Sequence, residues 1–69
     1  MIGKVIWFNN VRGYGFVQDE ATKKEYFCHY SAVQIEGYKK LEAEDRVEFD
    51  VETGPKGKPQ AAEVFVLED

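Results

Sequence analysis

Two short stretches hold most of the side chains able to act by stacking or by charge. Arg12-Gly13-Tyr14-Gly15-Phe16-Val17 interleaves rings and glycines beside a guanidinium, and Glu25-Tyr26-Phe27-Cys28-His29-Tyr30 adds further rings. Strand side chains alternate between two faces. Read as strands, the second stretch sets Glu25, Phe27 and His29 on one face and Tyr26, Cys28 and Tyr30 on the other. In the first, Tyr14, Phe16 and Gln18 share a face, and Gly15 and Val17 take the opposite one. One assembly sends Val17, Tyr26 and Cys28 inward with Val47, Phe49 and Val51. Tyr14, Phe16, Phe27 and His29 then lie together outside, beside Arg12. An isolated Phe is more often core than surface. Rings gathered on one face of two adjacent strands, with a separate apolar set behind them, reverse that expectation. Such an exposed cluster suits the stacking of unpaired bases, since every base has a π-face. Gly13 and Gly15 are expected to clear room for a ligand around Tyr14.

Other chemistries are poorly served. Cys28 and His29 are the only cysteine and histidine. As strand neighbours they point to opposite faces, so they cannot share a metal or work as nucleophile and base. Cys28 reads as a small buried hydrophobe, and His29 as a stacking or hydrogen-bonding group. Gly54-Pro55-Lys56-Gly57-Lys58 lacks the spacing and following helix of a phosphate-binding loop, and reads as a turn. Glu48, Asp50 and Glu52 read as the solvated face of a strand. No catalytic residue, cofactor or metal is expected, and the chain reads as a binding module, not an enzyme. The rival reading is a protein-interaction barrel that uses the same rings for a peptide. Oligothymidylate should quench Trp7 fluorescence in the first case and leave it unchanged in the second.

The elements that must position these residues are short strands. The chain of 69 residues makes one domain, 1–69. Strand-like runs are expected over Ile2–Asn9, Tyr14–Gln18, Glu25–Tyr30, Val47–Glu52 and Gln60–Leu67, the fourth by strict alternation of Val47, Phe49 and Val51 with acidic residues. Asn9–Gly13, Asp19–Lys24 and Thr53–Pro59 are turn-rich. Ser31 is expected to cap one helical turn, and residues 34–44 form a long connection. Five short antiparallel strands without a useful helix are expected to close into a small barrel, which also protects the sheet edges.

Net charge is −4, at first sight wrong for a nucleic-acid partner. Its distribution is uneven: residues 1–40 carry six basic and four acidic side chains, and residues 41–69 three basic and nine acidic. A weakly basic half is compatible with a nucleic-acid face on the first part of the chain. A single cysteine forms no intramolecular disulfide, which points to a reducing, cytoplasmic setting. No apolar run approaches a membrane span and no secretory signal is expected.

Arg12–Val17 fits the first six positions of the ribonucleoprotein pattern K/R-G-F/Y-G/A-F-V. The pattern's eighth position is an aromatic, and here it is Asp19. That departure, with the lack of helices, argues against the RNA-recognition-motif fold. Gly3-Lys4-Val5-Ile6-Trp7-Phe8-Asn9, Arg12–Val17, Phe27-Cys28-His29-Tyr30-Ser31-Ala32, Glu36-Gly37-Tyr38-Lys39, Leu41-Glu42 and Pro59-Gln60-Ala61-Ala62 together resemble the bacterial cold-shock proteins, in order along essentially the whole chain. The resemblance implies an all-β, five-stranded antiparallel barrel of the oligonucleotide/oligosaccharide-binding (OB) type. It implies a monomer that binds single-stranded RNA and DNA and acts as an RNA chaperone and regulator of transcription or translation in the cold-shock response. The family's stacking positions fall on Trp7, Tyr14, Phe16, Phe27, His29, Tyr30 and Tyr38, and its polar contacts on Arg12, Lys39 and Gln60.

The departures from the family have consequences. Ile6 stands where a lysine is common, so one phosphate contact is expected to be missing. Tyr14, Tyr30 and Tyr38 replace the usual Phe and add hydroxyls. Tyr26 and Cys28 replace small aliphatic residues on the inward face. Strict alternation also puts Val5 and Trp7 on one face, whereas the resemblance needs Val5 in and Trp7 out, which calls for a bulge or strong twist.

Overall fold

The computed structural model describes residues 1–34 and 41–67. Five strands form: β1 (Ile2–Asn9), β2 (Tyr14–Asp19), β3 (Glu25–His29), β4 (Arg46–Thr53) and β5 (Pro59–Val66). They close into a barrel in the order β1-β2-β3-β5-β4, so the all-β barrel expected from the sequence is the fold observed. The pairings β1–β2, β2–β3, β1–β4 and β4–β5 are antiparallel. A ring with an odd number of strands cannot alternate direction all the way round. One neighbouring pair must be parallel, and here it is β3 and β5, joined at Phe27↔Gln60.

The inward set is the one that alternation selects. Val5, Val17, Cys28, Val47 and Phe49 are buried with Val33, Leu41, Ala61 and Val64, while Tyr26 and Val51 are half-buried against them. The Tyr26 and Phe49 rings lie 5.9 Å apart. Between Val5↔Val17 and Trp7↔Phe16 the register slips: β1 advances two residues while β2 advances one. Ile6 is the extra residue. This bulge turns Val5 into the core and leaves Trp7 42% exposed, resolving the conflict between alternation and resemblance.

Two sets of side-chain hydrogen bonds, one long-range and one local, hold the ring-bearing strands. The Asn10 amide bridges to Leu41 in both directions, donating to its carbonyl at 3.0 Å and accepting its N–H at 3.2 Å. That pins the turn between β1 and β2 to the chain entering β4. The strand run expected to reach Tyr30 instead stops at His29, and Tyr30–Ala32 forms a 3₁₀ turn. Its N-cap is the extended His29, not Ser31 as expected, because Ser31 already lies inside the turn and its N–H donates to His29 Nδ1 at 3.3 Å.

Burial raises the Cys28 thiol from 9.0 to about 11. The unfolded chain therefore releases this proton at lower pH than the folded one. The stability that the protonated thiol contributes is complete below pH about 9 and falls as pH rises through about 11. Alkylation of Cys28 by iodoacetamide at neutral pH should follow the unfolded fraction, with labelling in native buffer far slower than in denaturant. Equal labelling rates in the two would contradict its burial.

Candidate functional site

The outward residues of β1, β2 and β3 form cross-strand rows. In one, Phe27 faces Phe16, which faces Trp7; in the next, His29 faces Tyr14, which faces Asn9. Trp7 lies 5.7 Å, centroid to centroid, from both Tyr14 and Phe16. Phe27 stacks on Tyr14 at 5.9 Å and meets Phe16 edge-on at 6.0 Å. His29 continues the series, 6.5 Å from Phe27 and 4.5 Å from Tyr30. Ring–ring contacts at these spacings hold each ring through its neighbours while leaving part of its face to solvent. Tyr14, Phe16, Phe27 and His29 are half-buried, and Tyr30 is 47% exposed. Tyr30 joins the row because the chain leaves β3 there for the 3₁₀ turn; continued strand alternation would have turned it inward.

His29 is oriented by its cap. Nδ1 accepts the Ser31 N–H and lies 2.9 Å from Ser31 Oγ. With Nδ1 an acceptor, the neutral ring carries its proton on Nε2, and Nε2–H is the donor left for a ligand.

The glycines serve the protein itself, contrary to the expectation that they clear space for a ligand. A Cβ on Gly15 would run into the Trp7 carbonyl oxygen and the Phe8 backbone. Gly13, at φ +79°, lets the Tyr30 ring pack flat over it, and a Cβ there would sit 2.7 Å from Tyr30 Cδ1.

Arg12 is exposed on the turn that leads into Tyr14. Its N–H and that of Val11 donate to Asn9 Oδ1, which shapes the turn. Gln60 opposes Phe27 from β5. Both line a groove of about 630 Å³ with Phe16, Glu25 and residues of the β4–β5 connection, among them Lys56 and Lys58. The groove brings Lys56 and Lys58 to the aromatic face, two residues that the sequence reading leaves in a plain turn. The lysines on either side of Gly57, just before Gln60, were the available signal. Tyr38 and Lys39 lie outside the described residues. Cys28 and His29 do separate to opposite faces, one buried and the other on the ring side.

The matching family model is the 'Cold-shock' DNA-binding domain, over residues 1–67. The chain belongs to the cold-shock domain family. It is similar to the Major cold shock protein of Micrococcus luteus, 49% identical over 66 residues that cover 96% of this chain and 97% of that one. It is also similar to Cold shock-like protein CspB of Bacillus cereus, 50% identical over 67 residues, 97% of this chain and 100% of its relative. Cold shock-like protein CspD of Escherichia coli is 49% identical over 55 residues, 80% of this chain and 74% of that protein. This cold-shock domain is thus a nucleic-acid-binding domain. Among its described residues no helix is long and apolar enough to cross a membrane.

Proposed function

We propose that this cold-shock domain binds single-stranded RNA and DNA with little sequence preference, by stacking bases on Trp7, Tyr14, Phe16, Phe27, His29 and Tyr30. Arg12 and Gln60 supply polar contacts, and the proposal extends to Tyr38 and Lys39. The domain works as a monomeric cytoplasmic RNA chaperone and regulator of transcription or translation in the cold-shock response, with no catalytic step. The observation that carries this reading is the continuous run of rings across β1, β2 and β3. OB-type barrels take oligonucleotides on the face of their second and third strands and between the loops joining strands one to two and four to five. Arg12 and the pair Lys56 and Lys58 stand on those two loops.

Bases reach such a face only when unpaired. Single-stranded oligothymidylate should quench Trp7 fluorescence saturably, and a duplex of equal length should bind far more weakly. Equal affinity for both would contradict stacking as the source of binding.

A short strand confined to the rings meets few cations beyond Arg12, Lys56 and Lys58, so its salt dependence should be shallow. Each phosphate neutralised on a single strand adds about 0.7 to the slope of log affinity against log salt. Ile6 is half-buried at the bulge and is not part of the core. Ile6→Lys should therefore leave the melting temperature nearly unchanged, tighten binding and steepen that slope by about 0.7. A sharply lowered melt with no gain in affinity would contradict the position of Ile6 outside the core.

A further inference from the structure

A second groove, of about 210 Å³, lies on the same outward surface and is lined by Gly3, Lys4, Gln18, Glu20, Lys23 and Arg46. Its place follows from the register. Beside the row Phe27–Phe16–Trp7 runs the row Glu25–Gln18–Lys4–Arg46, two residues further along β2. Two strand residues span about 7 Å. Lys4 and Arg46 thus stand in the row next to the aromatic one and Lys23 on the adjoining turn, three cations gathered in a protein of net charge −4. Gln18 Nε2 donates to the Lys23 carbonyl at 3.1 Å, which ties the β2–β3 turn to the groove.

The carboxylates nearby hold these cations loosely. Lys4 meets Glu44 at 3.3 Å and Arg46 meets Glu20 at 3.5 Å, and both members of each pair are more than half exposed. Exposed pairs of this kind contribute little and exchange partners readily. Lys23 has no ion-pair partner among the described residues.

We propose that this groove takes backbone phosphates of the strand lying on the aromatic face. A strand that runs past Trp7 and Phe16 meets Lys4, Lys23 and Arg46 next, so the groove lengthens the segment the domain covers. It places charge one row away from position 6, where Ile6 provides none. The inference rests on the stacking reading above and adds to it a second, electrostatic site.

The test compares oligothymidylates of about six and about ten nucleotides, within the roughly 4–16 that one OB barrel covers. It uses the native chain, the double variant Lys4→Gln with Arg46→Gln, and Phe27→Ala. Thermal melts should show both variants folded. The native chain should bind the longer strand more tightly and with a steeper salt slope. The double variant should bind the short strand as the native chain does. It should lose roughly five- to tenfold in affinity for the long one, with a slope lower by about 0.7 for each phosphate released. Equal losses on both lengths, or no loss on the long strand, would overturn the groove. Phe27→Ala should weaken both lengths. If it binds both normally, the aromatic face itself is refuted; if it weakens both while the double variant changes nothing, the groove alone is.

Discussion

Replacing Phe49 by alanine should cost about 3–5 kcal/mol of stability, the usual range for removing a buried aromatic ring. Among the described residues Phe49 is the largest fully buried side chain, and its ring lies 5.9 Å from that of Tyr26 on β3. Its strand alternates strictly, so no exposed neighbour can rotate in to fill the cavity. A chain of this length has a total stability on the order of 5 kcal/mol. The variant should therefore be largely unfolded at ambient temperature. Denaturant titration followed by far-ultraviolet circular dichroism checks this: the midpoint should collapse toward zero denaturant. A cooperative transition within about 1 kcal/mol of the native one would contradict the core placement.

The same substitution at Phe27 should do the opposite. Phe27 is half-buried on the outer face, between Tyr14, Phe16 and His29. Its removal leaves the core set untouched and takes away the ring that links Tyr14, Phe16 and His29. Loss of one stacked base is worth about 1–3 kcal/mol, which lowers affinity between about fivefold and about a hundredfold. The fold should persist with a modestly lowered melt, because only ring–ring contacts at the surface are lost. Calorimetric titration with oligothymidylate, paired with a thermal melt, reads both quantities. A variant that unfolds while its folded fraction binds normally would reverse the assignment of faces. Two phenylalanines in one small barrel thus separate stability from binding.

Period-two alternation makes both placements legible in the sequence. It separates Tyr14 and Phe16 from Val17, Phe27 and His29 from Cys28, and Val47, Phe49 and Val51 from the acidic residues between them, and the barrel respects each division. What alternation cannot register is a change of pairing. The slip at Ile6 exists only in the ladder between β1 and β2, so Trp7 was placed by resemblance and not by periodicity. Tyr30 escaped alternation for a similar reason: the strand ends one residue earlier, and a 3₁₀ turn swings the ring out. The sequence does not separate the two purposes Gly13 and Gly15 could serve, because close approach by a ligand and by the protein's own atoms make the same demand on it. Only the Tyr30 ring over Gly13 and the Trp7 carbonyl against Gly15 distinguish them. The approach of Lys56 and Lys58 to Phe16 and Phe27, and of Lys4 to Lys23 and Arg46, is set by strand pairing between distant parts of the chain, which no local pattern encodes.

On the proposed function, unpaired bases lie on the rings of β1, β2 and β3. Mapping backbone amide chemical shifts while adding a short oligothymidylate tests it most directly. Saturable shifts are expected at Trp7, Tyr14, Phe16, Phe27, His29, Tyr30 and Gln60, with Glu48 and Asp50 on the outer face of β4 unmoved. Shifts centred on β4, or none at saturating oligomer, would contradict it.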